Sequence, residues 1–261
     1  KYESELAIGR TIQIPIRSNY NTYSKTEGVS NTITFQSQPG SGGSTVNYQA
    51  VTVSTQEYAS ALLGSVIVAQ SSYDERARIT KGLGYALARG MEVSLSALFQ
   101  SFTQITGTLG ADPDDAILRR SWQYLADAGV NDNSTWVFGP AAVAALFGND
   151  KFTSKDFVNA KSVIETAMLP ALYSYPTVRS NLLRAPAAGQ TECALIHKES
   201  IIMIRQVMPT IREQLLIRNL ADGIVAYDLY TTALAYWSAE APTGDSDPTT
   251  GYYGGVLIRT G

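Results

Sequence analysis

Cysteine and histidine are nearly absent from this chain of 261 residues, which has one of each, Cys193 and His197. A structural zinc takes four N/S ligands and an internal disulfide takes two thiols, so neither can be built. A Ser-His-Asp or Cys-His centre would have to use His197, and no G-x-S-x-G elbow accompanies it. Charge is scarce as well. Charged residues make up 16 %, with 20 Lys+Arg against 23 Asp+Glu, and a net charge of -3 gives no ground for a strongly basic nucleic-acid binder. Long apolar runs are missing: the longest, residues 61–69, is interrupted by Gly64 and Ser65 and falls well short of the ~20 residues that span a bilayer. The first residues lack the charged, then apolar, then small pattern of a signal peptide, and the chain opens at Lys1, not Met, inside a strand-like pattern. The 44 % of hydrophobic residues suffices for a sizeable core, as one large domain or two small ones.

Leu6, Ile8, Ile12, Ile14 and Ile16 fall on every second position, with Arg10 the exception, and predict an extended arm with one buried face. Pro15 places that arm at a sheet edge. Alternation at Ile33 and Phe35, a turn-rich stretch over 37–44, and a run through Val46, Tyr48, Val51 and Val53 predict a long two-stranded hairpin. Its few large aliphatics cannot bury it, so its cover must come from outside the chain. Ser54-Thr55-Gln56-Glu57 has the form of a capping box and predicts a helix toward Ala69. A second helix is predicted from Tyr73 to Thr103, where Leu83, Leu87, Met91, Leu95, Leu98 and Phe102 recur every three or four residues. At 1.5 Å per residue it would be roughly 45 Å long. Gly82, Gly84 and Gly90 within it predict close packing against backbone or a kink.

Asp112 as N-cap, Pro113 at the first helical position and Asp114 and Asp115 on the first turn predict a helix through Leu118, Trp122 and Leu125 that stops at Gly129. A strand over 135–138 and a short helix from Gly139-Pro140 to Gly148 follow. Residues 193–197 read as a buried strand, 215–237 as β-type runs broken at Ala221-Asp222-Gly223, 241–250 as a loop and 255–260 as a terminal strand. Residues 151–184 have no clean period, and 199–206 are ambiguous between helix and strand.

Few residues point to chemistry. Gly82-Leu83-Gly84 lies inside a helical pattern, with Leu87 where a dinucleotide loop needs glycine, and reads as helix. Asp112, Asp114 and Asp115 could hold a hard cation, but helix capping accounts for all three. His197, beside Lys198 and Glu199, could be a general base; with no nucleophile specified, a hydrogen-bonded structural histidine is the preferred reading. Arg119-Arg120 and Arg205, Arg212 and Arg218 read either as a phosphate-facing stripe or as solvated or inter-subunit ion pairs. No catalytic, cofactor or metal residue is assigned. Tyrosine outnumbers phenylalanine 15 to 7, and an apolar ring with a polar tip suits a surface that other protein covers. Together with the arm and the uncovered hairpin, this describes an assembly protein.

The order of arm, long extended loop, spine-length helix, mixed α/β region and returning terminal strand resembles the major capsid (coat) proteins of tailed bacteriophages, with the Hong Kong 97-type capsid fold. The phrases that carry the likeness are Glu5-Leu6-Ala7-Ile8-Gly9-Arg10-Thr11-Ile12-Gln13-Ile14-Pro15, Trp136-Val137-Phe138-Gly139-Pro140, Phe152-Thr153-Ser154-Lys155-Asp156-Phe157, the stretch 169–181, Tyr227-Asp228-Leu229-Tyr230 and Val256-Leu257-Ile258-Arg259-Thr260. Leu172-Tyr173-Ser174-Tyr175 departs from it, because these proteins more usually have a glycine before the Pro-Val. The resemblance implies an α+β chain with an N-terminal arm over 1–22, an extended β-hairpin loop over 23–55 and a peripheral domain with its spine helix over 56–111. An axial domain over 112–237 and a return to the peripheral domain over 238–261 complete it.

The same resemblance implies a structural protein, not an enzyme, without cofactor, that assembles into hexamers and pentamers of an icosahedral shell around double-stranded phage DNA. Its partners would be itself, portal and scaffolding proteins, a cement protein and, non-specifically, the packaged DNA, with no membrane. It would reside in the virion after assembly in the cytoplasm of a bacterial host. Two other readings stay open, an encapsulin-like compartment shell and a hydrolase or binding module using His197. Some relatives of this fold lock their shells by an amide between a loop Lys and an Asn of another subunit. Between Lys1 and Lys81 this chain has only Lys25, and the 38–44 tip has none, so the shell is expected to be held non-covalently. One Cys also excludes a disulfide mesh.

Overall fold

The computed structural model describes residues 11–15, 48–64, 67, 74–130, 132–153, 169, 171–235, 237–238, 250–251 and 254–261. In chain order its elements are β1 (Thr11–Pro15), β2 (Tyr48–Thr52), β3 (Thr55–Gly64), α1 (Glu75–Ala97), β4 (Gln104–Gly107), α2 (Asp115–Asp127), β5 (Ser134–Phe138), α3 (Pro140–Phe147) and α4 (Asp150–Thr153). Then come β6 (Thr177–Arg179), β7 (Thr191–His197), β8 (Ile201–Leu216), β9 (Ala221–Leu234), β10 (Trp237–Ser238), β11 (Thr250–Gly251) and β12 (Gly255–Thr260), with 3-10 turns at Leu98–Ser101 and Ile217–Asn219. The chain divides into two compact units, drawn from 1–12, 50–97 and 202–233 and from 13–49, 98–201 and 234–261. These units do not follow the expected contiguous segments 56–111 and 112–237: the long strands β8 and β9 join the unit of the long helix.

β1 pairs with β2 in a two-stranded sheet, and Ile12 and Ile14 are buried at alternate positions, as the period of the arm predicts. The second strand of the expected hairpin therefore has β1 as its neighbour. Residues 33–35 and the 37–44 turn lie outside the described residues.

The first unit is a three-stranded sheet in the order β3-β9-β8 with α1 on one face. The expected helix from Ser54 toward Ala69 is instead β3, paired antiparallel with β9 over its whole length from Thr55↔Tyr230 to Gly64↔Ala221. The reason is visible along the strand: Ala59, Ala61 and Leu63 take every second position and face Leu83, Leu87, Ile224 and Ala226, while Tyr58 and Leu62 point outward. A capping-box pattern is only local, and ten cross-strand partners outweigh it. Similarly, the ambiguous residues 199–206 lie largely in β8, and the break before β9 comes at Ile217–Asn219 and Leu220, in the left-handed region at φ 43°, not at Ala221–Gly223.

Helix α1 starts at Glu75, where Asp74 accepts a hydrogen bond from the Ala77 N–H at 3.1 Å. Its 23 residues make it roughly 35 Å long, and the 3-10 turn follows before Thr103. Leu83 and Leu87 are buried in the unit's core, whereas Met91 and Leu95 are half-buried. The expected close packing against backbone is not found at these glycines: a Cβ at Gly90 would stand 2.4 Å from the side-chain Oε2 of Glu57, and Gly82 and Gly84 face open space.

The second unit is built on a five-stranded sheet in the order β4-β12-β7-β5-β6. β12 runs parallel to β4 and antiparallel to β7, and β5 runs antiparallel to β7 and parallel to β6. The terminal strand, expected to return to the long helix, is therefore interior to this sheet. Val256, Leu257 and Ile258 are each fully buried, the pattern of a strand covered on both faces. On one face Cys193, Leu195, Val256 and Ile258 pack with Leu118 and Leu125 of α2, Ala142 and Leu146 of α3, and the stacked rings of Trp136 and Phe138, 5.7 Å apart. On the other face Ala194 and Leu257 meet Phe99, Phe102 and Leu234.

α2 is fixed at both ends by its sequence. The cap is Asp114, whose carboxylate accepts from the Ile117 N–H at 2.8 Å, and not Asp112. Pro113, which stands before the cap, is buried, as is Leu118 four residues beyond the cap, the positions of a hydrophobic staple. At the other end Gly129 takes φ 74°, and the Gly129 and Val130 N–H groups donate to Ala126 and Leu125 carbonyls at 2.9 and 3.0 Å. That is a Schellman closure with buried Val130 and Leu125 beside it. Gly139 and Pro140 open α3 and Gly148 ends it, as expected.

Candidate functional site

His197 ends β7 and is buried. Its Nδ1 accepts from the Glu199 N–H at 3.3 Å, and Nε2 faces Asp132 Oδ1 at 3.6 Å. The nearby Ser200 hydroxyl donates to the His197 carbonyl at 2.7 Å, which leaves Ser200 unactivated as a nucleophile. The residue holds the β7–β8 turn, in line with its structural reading. Cys193 is fully buried; its sulfur accepts from the Gly139 N–H at 3.4 Å, and burial pushes the thiol pKa up, away from reactivity. Among the described residues no group of three His, Cys, Asp or Glu side chains is placed to hold a metal ion.

The three aspartates diverge. Asp114 caps α2, while Asp115 receives Lys151 Nζ at 2.8 Å, Arg119 Nε at 3.1 Å and the Tyr173 hydroxyl. The Lys151 and Tyr173 hydrogen bonds, with Arg119 adding, hold its carboxyl below the usual carboxylate range. The Tyr173 phenol is raised above its ordinary value, by burial first and then by Asp115. This anchor bears on the stretch that departs from the capsid pattern. Tyr173 and Ser174 both adopt positive φ, 51° and 69°, between reciprocal Leu172–Tyr175 backbone bonds of 2.9 and 3.0 Å. That is a tight turn made without the glycine it favours. Tyr173 is tied to Asp115, and Trp136 Nε1 donates to the Leu172 carbonyl at 2.9 Å, so tertiary contacts hold the unfavourable backbone in place.

The described arginines have separate partners. Arg119 pairs with Asp115, Arg120 lies over the Tyr124 ring at 4.5 Å, and Arg205 turns toward Asp228, its Nε 3.3 Å from Oδ2. Arg212 is exposed, and the Arg218 side chain lies outside the described residues. Sequence reading passed over a buried polar group beneath α1. Glu57 on β3 and Asp228 on β9 are direct cross-strand partners, and Tyr230 donates to Ser94 Oγ at 3.2 Å. The signal was present only as period two around Glu57, Ala59, Ala61 and Leu63.

Large apolar side chains are exposed on the first unit. Tyr58 and Leu62 on the outer face of β3, and Leu215, Ile217 and Leu220 around the β8–β9 turn, are each more than half exposed. Tyrosines divide between the two environments: Tyr58 and Tyr85 are exposed, and Tyr175 and Tyr230 are buried. A concentration of uncovered large apolar side chains at one sheet is the mark of a surface that other protein covers.

No protein-family model matches the chain, and no curated protein matches it in sequence. Its fold does match solved structures. The chain superposes with a TM-score of 0.74 on a structure from Mycobacterium phage Che8, at 15 % identity, with 98 % of this chain and 87 % of that chain covered. The capsid structure of cyanophage P-SCSP1u gives a TM-score of 0.69 at 12 % identity, covering 98 % and 85 %. The bacteriophage PhiM1 mature capsid gives 0.67 at 12 % identity, covering 96 % and 82 %. A virus-like particle from Pyrococcus furiosus is also similar, at 0.60 and 10 % identity over 96 % and 86 %. The chain is thus a mixed α+β protein with the fold found in phage capsid structures.

Proposed function

We propose that this chain is the structural major capsid subunit of a tailed phage, with the Hong Kong 97-type arrangement, and that it has no catalytic task. The observation that carries the reading is a fold shared with phage capsids over nearly the whole chain, together with the uncovered apolar side chains of β3 and the β8–β9 turn. A monomer leaves Tyr58, Leu62, Ile217 and Leu220 in water; repeated copies of the chain bury them. The subunits form hexamers and pentamers of a closed icosahedral shell around double-stranded DNA, with the 1–22 arm and 23–55 loop lapping neighbours. Portal, scaffolding and cement proteins complete the particle, which is assembled in the cytoplasm of the bacterial host. His197 supports this reading by being locked into a β-turn.

Electron microscopy of the purified protein tests the proposal. Closed shells of regular size with nuclease-protected double-stranded DNA in native particles are expected. Shells filled with an enzyme would move the chain to a cellular compartment, and a compact monomer whose turnover vanishes in His197→Ala would overturn the shell reading. Unreduced particles should run as one band of monomer mass on denaturing electrophoresis. A ladder that disappears in Lys25→Ala would show a covalent lock instead.

A further inference from the structure

The face of the three-stranded sheet covered by α1 carries an arrangement of charge that a purely apolar packing surface would not have. Glu57 and Asp228 are paired directly across β3 and β9, and like charges in that relation push a sheet apart. Arg205 from β8 is the cation beside them, with Nε 3.3 Å from Asp228 Oδ2, but its Nη2 points at Met91 Sδ, 3.2 Å away. The helix brings Gly90, Met91 and Ser94 to this place, while its charged Arg89 and Glu92 are exposed. Tyr230, the next inward residue of β9, hydrogen-bonds Ser94, and burial pushes its phenol up to about 12, so it stays protonated. Asp228 is 1 % exposed, and neither of its oxygens accepts a hydrogen bond of good geometry. Glu57, in contrast, lines an open cleft of about 380 Å³ together with Ala86, Leu87 and Gly90, so water reaches this member of the pair.

We propose that Glu57 and Asp228 form a proton-operated latch between α1 and the sheet. With both carboxylates ionised, one cation faces two anions beneath the helix and the packing loosens; when the pair takes up one proton, the repulsion is removed and the helix seats firmly. Asp228 is the proton acceptor. Burial above all raises its carboxyl above the ordinary range, Arg205 and then the Leu229 backbone N–H oppose, and the charge of Glu57 adds to the rise. The folded state then binds this proton more tightly than the unfolded chain does. The stabilisation is complete below the ordinary carboxylate value of ~4 and is lost as pH rises through the raised one.

The test is amide hydrogen exchange of α1, read by mass spectrometry on the purified protein and corrected for the intrinsic pH dependence of exchange. It applies equally to shells and subunits, so failure of the shell reading does not disturb it. Between about pH 5 and about pH 8, protection over residues 86–94 should fall in the wild type. It should stay level in Asp228→Asn. In Glu57→Gln, which leaves the Arg205–Asp228 pair in place, the fall should move to lower pH, and each unit of displacement is a tenfold change in the proton affinity of Asp228. The same pH profile in wild type and Glu57→Gln, or protection that rises with pH in the wild type, overturns the latch. Should Asp228→Asn not fold, the Glu57→Gln comparison decides alone.

Discussion

Replacing Trp136 with phenylalanine removes one hydrogen bond and part of one ring at the point where the five-stranded sheet meets the 172–175 turn. Trp136 is fully buried, stacked on Phe138, and its Nε1–H donates to the Leu172 carbonyl. That carbonyl also accepts from the Tyr175 N–H at 3.0 Å, so it is not orphaned by the change and the lost bond costs only ~1 kcal/mol. The smaller ring leaves roughly 40 Å³ unfilled, which at ~24 cal/mol per Å³ adds another ~1 kcal/mol. The sum of ~2 kcal/mol is more than a tenfold change in the folding equilibrium. Urea denaturation of unassembled subunits, followed by circular dichroism, measures it. Because Tyr173 and Ser174 sit at unfavourable φ, the turn should loosen more than the sheet, and its amide exchange should speed up more than that of β7. A loss under ~0.5 kcal/mol, or an equal change in turn and sheet, would refute the reasoning.

Gly255→Ala places a Cβ 2.3 Å from Phe102 Cζ, so the buried ring must move, at ~1–3 kcal/mol by the same denaturation assay. Leu87→Asp puts an unpartnered carboxylate into the core under α1 and should cost several kcal/mol, yielding insoluble or unassembled protein on expression. Asp115→Asn removes an acceptor whose cationic partners, Lys151 and Arg119, are 59 % and 62 % exposed, so the loss at neutral pH is held to ~0.5–1 kcal/mol and shrinks with salt. The sign follows from the lowered carboxyl: its contribution is present above the unfolded value of ~4 and vanishes as pH falls through the folded one. The denaturation midpoints of wild type and variant should therefore converge in acid.

Local chemistry was the part of this fold legible in advance. The close of α2 at Gly129, the Gly139-Pro140 start of α3, the buried strand around Cys193 and the stretch 255–260 are each written in a few adjacent residues. What could not be read was decided by distant partners. Thr55-Gln56-Glu57 suits a helix start as well as a strand, and only the chain of partners from Tyr230 to Ala221 resolves it. Asp112 and Asp114 are both good caps by residue type, and only the structure shows that the second takes the place, with Pro113 buried before it. The neighbours of the last strand could not be read, since β12 is as apolar as any strand that might have faced the long helix. Glu57 and Asp228 were invisible as a pair for the same reason, being far apart in sequence and adjacent only through register.

The interior position of β12 also orders events during synthesis. β4 has β12 as its sheet neighbour and cannot be paired until residues 255–260 have left the ribosome. At the usual 5–20 residues per second, the interval between translating the two is on the order of ten to thirty seconds. Until then the Gln104–Gly107 backbone, and one edge of β7 once that strand has been made, lack their strand partner, while the faces of β7 can already pack on α2, α3 and Phe99. Until β12 has been made, nascent chains are thus open to mispairing with one another, the interval in which a chaperone would matter most.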